Sequence, residues 1–396
     1  MTHDHGPTEE KPFQHPFMQQ QLGSMYPTHS PGSVILVLFF VAIIFIPVGV
    51  SVVFLSDQIF ELDIRYDDIN ECKYNPDSGA FSFPFDNATV QQGCRTRTKF
   101  TIDKSLSPPI YMYYRIVGFH QNYRQYAKSR DDNQLGGAID DISDDCWPFE
   151  HPGQYAGDES KSLSITVEDD DGSSVVEQKT YDDMVYNPCG SIAWSMFNDT
   201  LSIYKIPDGT TVNRNATDLP KQASLMCNGS GFDENGDSTS SNENCVKKGI
   251  ALDPDVENRF KLPSKYTSTQ WSRAGHNTSD PFLSEGYYAH EPGHKLPNVT
   301  DEDLMVWMRT AGLPDFRKLY RKIDATLIPG DYLLAVDEFF DTTSFGAEKH
   351  LILATTSGFG GRNFVLGIAL IVLGCVAFVL AVAFIAITIV KKSSTK

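Results

Sequence analysis

Two uncharged apolar runs limit what this chain can fold into. Val34 to Leu55 is 22 residues without Asp, Glu, Lys or Arg, and Phe364 to Val390 is 27. At a helical rise of about 1.5 Å per residue they reach roughly 33 and 40 Å, against a hydrocarbon core of about 30 Å. A cleaved leader fits poorly. The first run begins at position 34, is longer than an h-region of about 7–15 residues, and lacks a small-residue cleavage site. The pattern predicts two membrane-spanning helices, 34–55 and 363–390, with no ionisable residue in either to line a charged pathway.

Two spans place both termini on one side. Lys391, Lys392 and Lys396, with no acid among residues 391–396, put that side in the cytosol by the positive-inside rule. The Pro-, Gln- and His-rich segment 1–33 is then a cytosolic tail, and residues 56–362 form a lumenal or extracellular domain. That compartment leaves marks. Six N-x-[ST] sequons, at Asn87, Asn198, Asn215, Asn228, Asn277 and Asn298, all lie between the spans and read as surface glycosylation sites. Six of the seven cysteines share the region: Cys72, Cys94, Cys146, Cys189, Cys227 and Cys245. An even number in an oxidising compartment implies three disulfides, for which fifteen connectivities exist. Nearest-neighbour closure gives 72–94, 146–189 and 227–245. Cys375, inside the second span, reads as a packing residue.

The chain carries a formal charge of −18, which argues against a nucleic-acid partner, since phosphates demand clustered bases. The acid excess is local: 16 acids and two bases lie between Asp131 and Asp183, which reads as a solvated face. Glu168, Asp169, Asp170 and Asp171 fit no calcium loop. Strand-like runs recur at Phe81–Phe85, Ile110–Val117, Leu163–Val167, Asp331–Phe339 and His350–Thr355, separated by Gly, Pro, Asn and Asp clusters. The fold class is thus two transmembrane helices plus a large, mainly antiparallel-β, disulfide-bonded ectodomain. One helical module interrupts it. Thr300 and Asp303 suggest a capping box before Leu304, Trp307 and Met308. After Pro314 a second helix, Asp315 to Ile323, is expected to show Arg317, Lys318, Arg321 and Lys322 on a basic face, either solvated or docking.

His290-Glu291-Pro292-Gly293-His294 matches H-E-x-x-H in letters only. Zinc proteases need both imidazoles on one helical face, and Pro292 with Gly293 breaks the helix that would place them there. No phosphate-binding loop or nucleophile elbow occurs, so no catalytic residue, metal or cofactor is expected. In the second span Gly367, Gly374, Ala381 and Thr388 fall seven apart. Small residues in such a stripe let helices approach closely, and the stripe is expected to pack against a partner's helices.

Five blocks, in order, resemble the accessory (beta) subunits of type IV P-type ATPases, the lipid flippases, also called the ligand-effect-modulator or cell-division-cycle-fifty family. They are Phe45–Gly49 (FIPVG) in the first span and Tyr111–Tyr114 (YMYY) with Gln121–Arg124 (QNYR) and Lys128–Leu135 (KSRDDNQL). Pro188–Ala193 (PCGSIA) running into Ser195–Thr200 (SMFNDT) is the third, and Val306–Ala311 (VWMRTA) with Leu313-Pro314 and Phe316–Tyr320 (FRKLY) the fourth. Gly360–Asn363 (GGRN) leading into Leu366–Ala369 (LGIA) closes the set.

The resemblance implies a glycosylated, non-catalytic partner of a large catalytic alpha subunit. It would help that subunit leave the endoplasmic reticulum for the Golgi or plasma membrane and support its transport of aminophospholipids. It also implies that Cys72–Cys94 and Cys146–Cys189 are pairs, whereas Cys227–Cys245 has no matching block. Two other classes share the topology. A ligand-gated channel subunit would need a polar second span, where Thr388 is nearly the only hydroxyl, and an adhesion or receptor protein explains none of the blocks.

Overall fold

The computed structural model describes residues 30–394, apart from positions 68–73, 76–79, 82–83, 88–90, 139–141, 169–172, 215–217, 234, 265–268, 274–285, 290–293 and 357–359. The apolar runs form two helices, Pro31–Gln58 and Phe364–Ser394, each long and apolar enough to cross a membrane. They make one unit of the chain and Gln58–Arg362 makes the other.

The two helices meet through small residues. A methyl group added to Gly49 would sit 2.8 Å from the Gly367 carbonyl oxygen, and one on Gly374 2.7 Å from the Ile46 side chain. Ala42 and Val52 on the first helix, and Ala377 and Ala381 on the second, are buried as well. In lipid, where apolar burial drives no association, such close approach supplies the dispersion contacts that hold helices together. Phe39 and Phe378 add an edge-to-face contact at 5.9 Å.

The central unit is built on two antiparallel sheets. Along Ile110–Val117 every second side chain turns inward: Ile110, Met112, Tyr114 and Ile116 are buried while Tyr111, Tyr113 and Arg115 are not. This strand lies in a sheet ordered Glu61–Arg65, Glu348–Ala354, Ile110–Val117, Asp315–Ile323, Cys245–Val246. The second sheet runs Ser224–Asn228, Thr200–Lys205, Gly330–Glu338, Gln91–Ile102, Pro84–Asn87. Inner residues of both sheets, such as Met112, Leu201, Leu334 and Leu351, share one core with Trp307. A second core of Tyr181, Trp271, Tyr288 and Leu296 surrounds Cys146 and Cys189. Its frame is a short parallel pair, Val185–Asn187 with Gln270–Ser272, beside the hairpin Ser162–Glu168 and Ser174–Thr180.

Two local expectations are corrected. Asp315–Ile323 is a strand and not a helix: it pairs along its length with Ile110–Val117, and Phe316, Lys318 and Tyr320 alternate inward. A bulge between Leu319 and Arg321 turns Arg321 inward too. The four basic residues therefore do not share one face. Arg317 lies over the Tyr113 ring and reaches Glu61 at 3.2 Å, while Lys318 and Arg321 are buried. The preceding helix, Glu302–Met308, is present, but its N-cap is Asp301, whose carboxylate accepts from the Asp303 amide at 2.9 Å. The Thr300 hydroxyl is held instead by Asn298 Oδ1 at 3.1 Å.

Candidate functional site

The cysteines that staple the central unit lie next to short strands and turns. Cys146 and Cys189 are joined with 5.7 Å between their Cα atoms, and Cys227 and Cys245 with 4.7 Å. Cys94 is also disulfide-bonded, and Cys72 lies outside the described residues. Cys375 is a free thiol on the last helix. Of the sequons, Asn215 and Asn277 are outside the described residues, and Asn87 ends the strand Pro84–Asn87. Asn198 follows the short helix Ser191–Trp194. Asn228 and Asn298 each form an Asx turn with their own sequon hydroxyl. Asn228 Oδ1 accepts from the Ser230 amide and hydroxyl at 3.0 Å each. Asn298 Oδ1 accepts from the Thr300 amide at 3.2 Å and its hydroxyl at 3.1 Å.

Of the small-residue stripe, Gly367, Gly374 and Ala381 are buried within the pair formed with the chain's own first helix. Thr388 is exposed and donates to the Phe384 carbonyl at 2.7 Å. In the H-E-x-x-H lookalike, His290 to Gly293 are outside the described residues, while His294 lies 5.1 Å from both the Trp194 and Tyr288 rings. Asp169 to Asp171 are outside them too. Among the described residues no group of three or more His, Cys, Asp or Glu is placed to hold a metal ion.

What sequence reasoning missed is a set of buried charges. Lys349, 2% exposed, lies 2.7 Å from Asp199 and 3.3 Å from Glu338, and donates to the Phe340 carbonyl at 2.7 Å. Asp199 also accepts from the Tyr66 hydroxyl at 3.0 Å and from the Phe339 and Phe340 amides at 2.6 and 2.7 Å. Burial opposes the charge on Lys349, but Asp199 and Glu338 outweigh it and hold its pKa above the ordinary lysine value. Burial, with the Asp199 charge nearby, pushes Glu338 up to about 7 against the pull of Lys349. The signal was faint in sequence, where Lys349 and Glu338 look like outward residues of amphipathic strands.

A second set ties the helix Glu302–Met308 to the sheet. Lys318 donates to the carbonyls of Val306, Trp307 and Arg309 at 3.0, 2.8 and 2.6 Å, capping the helix's C-terminal end. Arg321 holds Asp303 at its other end, at 2.6 Å. Trp307 completes the joint. Its indole donates to the Ile192 carbonyl at 2.8 Å, and its ring lies among Tyr114, Phe119, Phe316 and Phe340. The motif blocks around positions 111–114, 188–200 and 306–320 thus meet in one aromatic and ionic joint. These groups hold one another, so what they furnish is a rigid scaffold.

The model of the LEM3 (ligand-effect modulator 3) family / CDC50 family matches residues 52–394. ALA-interacting subunit 3 of Arabidopsis thaliana is 33% identical over 379 residues, covering 95% of this chain and 85% of that protein. Cell cycle control protein 50A of Bos taurus is 31% identical over 380 residues, covering 94% and 87%. Cell cycle control protein 50B of Homo sapiens is 29% identical over 390 residues, covering 93% and 92%. With a match that runs from the first membrane helix into the last, the chain belongs to the LEM3/CDC50 family.

Proposed function

We propose that this chain is the non-catalytic accessory (beta) subunit of a phospholipid-translocating type IV P-type ATPase. It forms a heterodimer with the catalytic alpha subunit, helps it fold and leave the endoplasmic reticulum, and supports its transport cycle in the Golgi or plasma membrane. The observation that carries the reading is the family match across residues 52–394, joined by a relative whose name is that of an interacting subunit. The buried ionic joint fits this reading, since it ties the helix Glu302–Met308 to the sheet of the central unit. In this reading both termini are cytosolic, the central domain is lumenal or extracellular, and its sequons are glycosylated.

The test is a pull-down of the tagged full chain from mild detergent, followed by mass spectrometry. A stoichiometric large polypeptide with P-type ATPase peptides is expected. Recovery of the chain alone, as a homotrimer, would overturn the reading in favour of a channel subunit.

A further inference from the structure

Asn187 and Ser272 are register partners across the short parallel pair of the second core, and both are buried, 2% and 3% exposed. Among the described residues the Asn187 amide nitrogen and oxygen and the Ser272 hydroxyl have no hydrogen-bond partner. Buried polar groups are almost always paired, so an orphaned amide and an orphaned hydroxyl on register-paired strands point to a partner other than the described residues. Both residues line a cleft of about 570 Å³, within the size range that encloses a small ligand.

The cleft's charge pattern narrows the ligand class. Four acids and four Lys or Arg line it, so in a chain of net charge −18 this surface is formally neutral. Several of these charges already face each other: Lys247 lies 2.7 Å from Asp301 and 2.9 Å from Asp303, and Arg321 lies 2.6 Å from Asp303. Such a surface suits a neutral ligand carrying hydroxyl and amide groups, in other words a carbohydrate.

Asn298 lines the same cleft. Thr300 fixes its Oδ1, which leaves Nδ2 as the free end of the side chain. Its segment is anchored close to the cleft floor. The Leu296 amide donates to the Gly286 carbonyl at 2.8 Å, and a methyl group on Gly286 would lie 2.9 Å from the Cα of Arg273, the neighbour of Ser272. Asn198 lines the cleft too, but its sequon hydroxyl, Thr200, belongs to the strand Thr200–Lys205.

We propose that the first sugars of an N-linked glycan on Asn298 lie in this cleft, where their hydroxyl and acetamide groups pair with Asn187 and Ser272. Attachment forms one C–N bond between Nδ2 and the anomeric carbon of a lipid-diphosphate-linked oligosaccharide. One N–H proton is lost and the lipid diphosphate leaves. The proposal rests on the lumenal placement of the central domain given above.

The test uses the full chain made in a eukaryotic host and purified in mild detergent. Timed digestion with peptide N-glycosidase, native and denatured, is read by glycopeptide mass spectrometry at every occupied sequon. The expected result is that folding slows release at Asn298 at least tenfold more than at any other occupied sequon, and that Ser272→Ala removes most of that protection. Equal slowing at all sequons, protection at Asn198 in place of Asn298, or a bare Asn298 beside other occupied sequons would each overturn the proposal while leaving the lumenal placement intact. A chain with no glycan at any sequon would overturn the lumenal placement itself.

Discussion

Arg321 grips Asp303 with both terminal nitrogens, Nη1 to Oδ1 at 2.6 Å and Nη2 to Oδ2 at 3.0 Å, while its Nε donates to the Gly229 carbonyl at 3.0 Å. The pair links a sheet strand to the first turn of the helix Glu302–Met308, where a carboxylate also suits the positive end of the helix. Burial works against the Asp303 charge, but Arg321 and Lys247 overcome it and hold the carboxyl below its usual range. Arg321→Met leaves Asp303 with Lys247 alone, 2.9 Å away, and takes the donor from the Gly229 carbonyl; breaking a buried pair from one side costs up to about 3–5 kcal/mol. Arg321→Lys recovers only part, because an ammonium cannot make the fork. Thermal unfolding of the full chain in detergent checks this, and a wild-type midpoint for Arg321→Met would refute it.

Lys318 answers for the helix's other end. Its Nζ is buried and serves three carbonyls, with the Trp307 ring 5.2 Å away, and burial pulls its pKa down to about 7. Lys318→Met keeps much of the stem packing but leaves those oxygens without their donor, at about 1–3 kcal/mol per unsatisfied group. Hydrogen exchange across residues 302–308 should then quicken by roughly tenfold or more, since about 1.4 kcal/mol is a factor of ten. Unchanged exchange there would mean that water replaces the lysine without penalty.

Glu338 gives a pH dependence of definite sign. Its pKa in the fold is about 7 against an ordinary 4.5, so the folded chain binds this proton more tightly than the unfolded one. Its contribution to stability is full below pH 4.5 and is lost as pH rises through 7. Glu338→Gln imitates the protonated form and does not titrate. The midpoint of that variant, measured relative to wild type, should therefore climb between pH 4.5 and 7 and level off above. A flat or falling difference would show that the Lys349 attraction keeps Glu338 ionised throughout.

Much of the architecture was legible from patterns of two kinds. Charge-free length marked both membrane helices, and β-branched and aromatic content marked Ile110–Val117, whose bounds in the fold are those read from the sequence. Asp315–Ile323 misled for a physical reason. Lys318, Arg321 and Lys322 have helical spacing, and a basic residue is taken for an outward one unless its acceptors are known. Those acceptors, Asp303 and the carbonyls of Val306 to Arg309, lie on a neighbouring element. Likewise nothing local shows that Lys349, Asp199 and Glu338 converge, because only the pairing of distant strands brings them together. The stripe Gly367, Gly374 and Ala381 was visible, but its spacing cannot say which helix fills it.

That stripe supports a last prediction. A methyl group on Gly374 would lie 2.7 Å from Ile46 Cγ1 and 3.2 Å from the Ile46 backbone nitrogen. A side chain can rotate away, but helix backbone cannot, so Gly374→Ile must push the two helices apart. Overpacking of this kind costs about 1–3 kcal/mol, and the lost contacts are the main force available in lipid. Val376, two residues on, is 51% exposed, and Val376→Ile serves as the control because it adds bulk outside the seam. Gly374→Ile should lower the unfolding midpoint of the detergent-solubilised chain and its recovery from membranes, while Val376→Ile leaves both unchanged. Equal behaviour of the two variants would mean that the glycine seam does not hold the helices together.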